Sequence, residues 1–366
     1  MPTTEAPQAP PFCPNPSCRH HPQAKALWRF VRDGHYVRSA SPCRVQRYRC
    51  VTCRRRFSDQ TFRVTYWLKR PELLEPIFHR LVGCSGFRQI AREHGASPQT
   101  VLRQTARLGR HCQLFHERMR PRGPIAEPLA LDSFESFEYS QFHPTRFHVL
   151  VGRRAHFFYG FTDSECRRSG RMTGAQKRRR TRLEERYGRP DPRSTEKEVA
   201  ELLRIVAPQP QALELHSDEH ADYPRAIRRV PHLAVTQRTI SSRRARNVQN
   251  PLFPINLLDL LIRHSGANHK RETIAFSKRR QSAAERLWVF LVWRNAVKAF
   301  SERRQGESPA MRAGLLERRL SVAEVLRERL FPSRILLPTR WARYYERRIE
   351  TRMIPHGAVH LPRYAI

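Results

Sequence analysis

Negative charge is scarce in this chain of 366 residues. Asp and Glu together number 33 against 69 Lys and Arg, a formal net charge of +36. An imbalance this large points to a polyanionic partner, nucleic acid ahead of a membrane surface, because cations that neutralise phosphates release condensed counterions. Lysine is scarcer still, with only seven of the cations. The rest are Arg, whose planar guanidinium suits bidentate phosphate contacts, although GC-rich coding produces the same skew with no functional meaning. Long apolar runs are missing too. The longest, LWVFLVW at 287–293, falls far short of the roughly 20 residues that span a bilayer. The Pro-rich opening MPTTEAPQAPPF has no apolar centre and does not read as a signal peptide. No internal repeat is visible. What is there, 39% hydrophobic and 28% charged residues with a mean hydropathy of −0.68, suits two or three globular domains under a heavily charged surface.

Eight cysteines in a chain of this size suggest metal in a reducing compartment rather than disulfides, so the cytoplasm is the expected location. CPNPSC sets Cys13 and Cys18 on one tight turn, and CVTC sets Cys50 and Cys53 on another. Two short-spaced thiolate pairs close a tetrahedral site for structural zinc. His20 or His21 is the alternative to Cys18 as fourth ligand. Cys43, Cys84, Cys112 and Cys166 lack partners at ligand spacing and read as ordinary core or surface residues.

Residues 72–118 read as helices. Within them, GFRQIAREHGASPQTVLRQTARLGR has the form of a helix-turn-helix. Ile90 and Ala91 face inward on the first helix, and Gly95 ends it. Ser97 is an N-cap with Pro98 at the first helical position. Val101, Leu102 and Ala106 form the buried stripe of the second helix. That leaves Gln99, Thr100, Arg103, Gln104 and Arg107 for a major groove.

After the linker MRPRGPIAEP, three β-rich runs (EPLALDSFESFEYSQF, RFHVLVG and AHFFYGFTD) precede alternating helices and strands. Helices are expected near 194–206 and 221–229, strands at ALELHSD and HLAVTQ, and helices through 255–268 and 280–300. This order implies a mixed sheet with helices on its faces. Residues 167–193 carry eleven Arg or Lys against three acids. They read as a DNA-contacting loop, with Arg178, Arg179 and Arg180 the candidate contacts, or as a solvated disordered segment. The tail from 301 continues in a helical, Arg-rich pattern.

In this basic chain, single acids interrupt apolar segments. Asp132 follows PLAL, Asp218 ends ALELHS, and Asp259 sits inside FPINLLDLLIRH. Burying an uncompensated carboxylate is costly, but carboxylates from separate elements can converge on Mg²⁺. Taken singly, Asp218 also reads as a turn or N-cap residue, and Asp259 as a partner of Arg263 one turn on.

The order of modules resembles the insertion-sequence transposases of bacteria that carry an N-terminal zinc ribbon, a helix-turn-helix and an acidic-triad catalytic domain. RYRCVTCRRRF, IAREHGASPQTV, SDEHADYPRAI and NHKRETIAFSKRR carry the likeness. It implies a multidomain chain: a zinc ribbon over 1–60, an all-α helix-turn-helix domain over 61–120, an α/β RNase H-like domain over 125–300 and a helical basic tail over 301–366. It further implies that Asp132, Asp218 and Asp259 bind catalytic Mg²⁺ in a polynucleotidyl transferase. Its partners would be terminal inverted repeats and target duplex DNA, engaged by a homodimer or larger assembly in the bacterial nucleoid, with no membrane involved. The third acid of such triads is usually Glu, which makes Glu272 a rival to Asp259. A DNA-binding regulator derived from a transposase is the alternative function.

Overall fold

The computed structural model describes residues 9–22 and 28–361. The ends of the expected ribbon and tail at 1–8, 23–27 and 362–366 lie outside those residues. Near the N-terminus, β1 (Phe30–Val37), β2 (Arg44–Cys50) and β3 (Arg56–Ser58) form an antiparallel sheet in sequence order. So small a sheet buries little. Its interior is the four thiols of Cys13, Cys18, Cys50 and Cys53 together with Trp28, Phe30, Tyr48 and Phe57. Phe12 docks this module onto the far end of the chain through edge contacts with Phe62 and Phe331, under the guanidinium of Arg334 at 3.8 Å.

Helices α1 (Leu74–Val82), α2 (Phe87–Glu93) and α3 (Pro98–Met119) follow. Ile90 and Ala91 are buried, Gly95 takes φ +54°, and the Ser97 hydroxyl accepts from the Thr100 N–H at 3.1 Å, as the sequence suggests. The helix beginning at Pro98 runs on for 22 residues, and its later turns pack into the α/β half.

That half is built on β4 (Leu129–Phe137), β5 (Pro144–Gly152) and β6 (Phe158–Glu165), then α4 (Gly174–Tyr187), α5 (Ser194–Val206), β7 (Gln211–Ser217), α6 (Asp222–Arg228), β8 (Leu233–Thr239), α7 (Phe253–Ser265) and α8 (Arg280–Val292). The five strands lie in the order β6-β5-β4-β7-β8, with β4, β5 and β6 antiparallel and β7 parallel to both β4 and β8. The mixed sheet expected from the sequence is therefore present, with a core on each face. α5 and α6 cover Leu129, Leu131, Leu213 and Leu215. α3, α7 and α8 cover Ala130, Phe134, Phe147 and Val149 in a core that also takes in Ile90 and Val101.

Two sequence expectations are corrected. Residues 174–187 form α4, not a loop or a disordered segment. Thr173 and Gln176 cap it reciprocally, yet none of its residues is buried, so no apolar stripe announces it. The tail beyond 301 is mostly irregular, with short helices α9 (Pro309–Arg312), α10 (Val322–Val325) and α11 (Thr339–Tyr345). Its fixed point is α11. Trp341 is fully buried and donates to the Phe161 carbonyl at 3.0 Å, and Arg340 donates to Asp163 at 2.8 Å and to Glu198 at 2.7 Å. Tyr344 donates to the same Asp163 carboxylate.

Trp341 fits because Gly160, at φ +149°, has no side chain; a Cβ there would lie 2.4 Å from the indole. Trp341→Ala is expected to destabilise the whole chain by about 3–5 kcal/mol. Gly160→Ala should also destabilise, through clash and backbone strain together. Urea denaturation checks both. A loss under about 1 kcal/mol for Trp341→Ala would mean that the tail is not part of the core.

Candidate functional site

The thiols come first. Cys13 Sγ and Cys53 Sγ lie 3.6 Å apart, Cys18 Sγ and Cys50 Sγ 4.0 Å apart, and all four fall within 4.8 Å of one another. A tetrahedron with Zn–S bonds of about 2.3 Å has edges of about 3.8 Å, so the four cysteines fit a zinc ion. His21 is not a ligand, because one ring nitrogen bonds the Cys13 carbonyl at 2.7 Å and the other the Ser333 hydroxyl at 2.8 Å. His20 is likewise outside the cluster and takes a hydrogen bond from Arg19. Burial alone would push the Cys50 thiol up, but the Cys53 N–H, the Trp28 indole and the Thr52 N–H draw it down to about 7.

The acids gather at one end of the five-stranded sheet. Residues alternate faces along β4, so Asp132 shares the α7 side with Ala130 and Phe134, while Ser133 points to the other side. Ser133 Oγ lies 2.7 Å from His148 Nδ1 and 3.0 Å from the Tyr223 hydroxyl, which fixes this stretch of strand. β4 pairs with β7 only at Leu129–Leu215 and Ala130–His216. Continuing that register brings Asp132 level with Asp218, the first residue beyond β7, on strands about 4.8 Å apart. Asp218 accepts from the His220 N–H at 3.0 Å.

Asp259, on α7, lines a cleft of about 610 Å³ together with Asp132 and Asn256; Arg167, Arg168, Arg246, Arg263, Lys270 and Arg271 stand on its walls. Burial raises the Asp132 carboxyl, the Ser133 N–H lowers it, and the charges of Asp218 and Asp259 raise it further, to about 6 overall. Asp218 and Asp259 thus lie near enough for their charges to add to the effect of burial on Asp132. The three acids are not drawn as tight as the thiols, since among the described residues only the cysteines close to within 4.8 Å as a group. Asp259 also takes the plainer role open to it in sequence, accepting from Arg263 Nε at 3.1 and 3.2 Å.

The rival Glu272 is exposed on a bend outside any helix and does not line the cleft. Of the acids around Asp218, Asp222 opens α6 and pairs with Arg225 at 3.2 Å. Glu219 accepts from the Ser242 N–H, and Glu214 is shared by His216 and Arg238.

The candidate groove readers divide. Gln99 and Arg103 are exposed, and Thr100 is half-buried with its hydroxyl on Ser97. Gln104 and Arg107 are corrections. Gln104 is buried and donates to the Arg70 carbonyl at 3.0 Å, and Arg107 donates to the Val64 carbonyl at 2.8 Å. The reason is that this side of α3 rests on the segment 64–70 and is closed to a ligand. Arg88 and Arg92, exposed on α2 one turn apart, were missed, although their spacing is visible in the sequence. On α4, Arg178 and Arg179 are exposed, and Arg179 stacks on Phe142 at 5.0 Å. Arg180 is half-buried on the Arg168 carbonyl and Glu184. Arg246, Arg263, Lys270 and Arg271 were also missed as a set, because only the fold brings them to one cleft.

No family model matches the sequence, and no curated protein matches it. Among solved structures, the chain is similar to one in the cryo-electron microscopy structure of a simian T-cell lymphotropic virus intasome in complex with PP2A regulatory subunit B56 gamma. Identity is 15%, coverage 65% of this chain and 70% of that chain, and the TM-score 0.26. A likeness of that degree says nothing about individual residues.

Two outcomes are expected. The purified protein should carry about one zinc per chain, and Cys50→Ser should lose it and open the Arg334 segment to trypsin; zinc-free wild-type protein would contradict the site. The second concerns pH. Asp132 has a folded pKa raised from 3.8 to about 6, so the folded state binds this proton more tightly than the unfolded chain. Its stabilisation is complete below about pH 4 and is lost as pH rises to 6. Without added Mg²⁺, Asp132→Asn should therefore stabilise the protein at pH 7.5 by up to about 2–3 kcal/mol, and by far less at pH 4.5. Thermal melts that show the same difference at both pH values would contradict the raised Asp132 carboxyl.

Proposed function

We propose that this chain is a DNA transposase that binds the terminal inverted repeats of its element, cuts the DNA at the acidic cleft and transfers 3′ hydroxyls to target DNA. The observation that supports the reading is the placement of a buried carboxyl, Asp132, with Asp259 in a cleft walled by cations, and of Asp218 just beyond the strand next to Asp132's own. A purely structural acid in a chain of +36 would be expected to sit against its own Arg, as Asp163 does with Arg340 and Arg280. Among the described residues Asp132 has no ion-pair partner: its carboxylate accepts from the Ser133 N–H at 2.6 Å, and the exposed Arg246 only partly offsets its burial.

The donor set suits Mg²⁺, a hard ion that takes carboxylate oxygens. Asp132, Asp218 and Asp259 would hold it, and when bound it would supply charge neutralisation at the scissile phosphate and activation of the attacking oxygen. The protein's own cations, Arg246, Lys270 and Arg271, would hold the flanking phosphates and leave the acids free. Gln99 and Arg103, with Arg88 and Arg92, offer a face for base and backbone contacts, while Arg178 and Arg179 offer charge without sequence readout. The family likeness adds a dimer or larger assembly, since two element ends must be joined, in the bacterial cytoplasm.

One observation favours the second reading, a DNA-binding regulator that no longer cuts. Asp259 is one methylene shorter than the usual Glu and is already engaged by Arg263.

Labelled oligonucleotides carrying the ends of the element decide between the two. Mg²⁺-dependent strand transfer is expected from the wild type. It should fall by orders of magnitude in Asp132→Asn, Asp218→Asn and Asp259→Asn with DNA binding retained. Glu272→Gln and Asp222→Asn should keep most of it. Loss of transfer in Glu272→Gln with a mild Asp259→Asn would reassign the third acid, and binding without transfer in the wild type would favour the regulator. Arg103→Ala should cost about 1–3 kcal/mol on specific DNA and little on random sequence; equal losses on both would show that this helix is not the reader.

A further inference from the structure

The turn that follows the cleft cations carries a side chain with no role inside the molecule. Ile274 is fully exposed, more so than any other large hydrophobic side chain among the described residues. It is not a loose end. The Thr273 hydroxyl donates to the Ala267 carbonyl at 2.9 Å and accepts from the Ala275 N–H at 3.0 Å, which braces the turn on both sides. Phe276 stacks on Phe137, a residue of the cleft wall, with ring centroids 4.7 Å apart. Ala275 borders Gly86, the N-cap of α2, at 3.6 Å from where a Cβ would stand. The turn therefore bridges the acidic cleft and the helical DNA-binding face. Its approach residues Lys270 and Arg271 line the cleft, and Lys278 and Arg279 follow it.

We propose that Ile274 is a wedge that enters the base stack of duplex DNA as the duplex passes from the helical face to the cleft. The proposal rests on the reading of that cleft as a DNA site. An aliphatic side chain placed between base steps unstacks them and unwinds the duplex, and flanking cations hold the two backbones while it does so. For this the side chain must be apolar, carried on a braced turn and flanked by net positive charge: Ile274 is apolar, Thr273 braces its turn, and Lys270, Arg271, Lys278 and Arg279 outnumber Glu272 along the segment. The consequence for the cleft would be a locally opened strand whose phosphate is freer to approach Asp132 and Asp259.

The test does not depend on DNA sequence or on cutting. Nicked plasmid is bound by the full-length protein in Ca²⁺, sealed with ligase, and its linking number read after protein removal, alongside filter binding of the same plasmid. Wild type is expected to unwind the plasmid. Ile274→Ala should reduce the change in linking number per bound protein by about threefold or more while affinity stays within about twofold. Ile274→Phe, which keeps a wedge, should preserve it.

Equal unwinding by wild type and Ile274→Ala would overturn the proposal. So would an absence of unwinding by bound wild type, or an Ile274→Ala phenotype confined to the oligomeric state, which would assign the side chain to a second copy of the chain. Unwinding that depends on Ile274 in a protein that never cuts would uphold the wedge and reject the catalytic reading alone.

Discussion

The burial of a single carboxyl, Asp132, in the middle of the five-stranded sheet is the constraint on which the rest of this account depends. Asp132 belongs to a central strand sealed between two apolar cores, where its neighbours Leu129, Ala130 and Leu131 have no exposure at all. The strand cannot shift to expose the carboxyl, because a one-residue slip would turn every core side chain to the wrong face. Burial, with Asp218 and Asp259 nearby, therefore holds the Asp132 carboxyl above its ordinary range. Around it the fold supplies Arg and Lys on separate loops and helices; Arg263 pairs with Asp259, while no cation pairs with Asp132 among the described residues.

The packing serves the same end. The helix that begins at Pro98 runs from the exposed Gln99 and Arg103 into the core shared with α8, so the helical face and the cleft sit on one rigid body. The last helix closes that core from behind. Asp163, fully buried on β6, has its carboxyl held below the usual range: burial opposes this, but Arg340 and Arg280 and the Tyr344 hydroxyl more than offset it. Asp163 and Asp132 make a useful contrast within one sheet. The first is a carboxylate surrounded by its own cations, and the second is a buried carboxyl without an ion-pair partner among the described residues.

Much of this was legible in the sequence. The thiol pairs, the N-cap at Ser97, the three β-rich runs and the alternation after them each carry a local signal, since spacing, capping and period are properties of short segments. So is the placement of Asp132 and Asp218 at apolar strands. What the sequence could not carry is which face of a long helix another segment covers. Gln104 and Arg107 look as free as Arg103 until residues 64–70 are laid across them. α4 escaped because a helix without a buried side has no period, and its Thr173–Gln176 cap is a weak signal within a run of Arg. The helical, Arg-rich pattern of the tail misleads because what fixes the tail is not that pattern but Trp341 and Tyr344, which anchor to a strand far back in the chain.

The central claim is that Asp132, Asp218 and Asp259 form one divalent-cation site. Mn²⁺ binding, followed through the electron paramagnetic resonance of the free ion, tests it without any assumption about DNA. The wild type should remove Mn²⁺ from solution at the acidic cleft, and Asp132→Asn and Asp218→Asn should each abolish that binding, while Asp222→Asn leaves it unchanged. Identical Mn²⁺ binding in all four proteins, or none in any, would contradict the account.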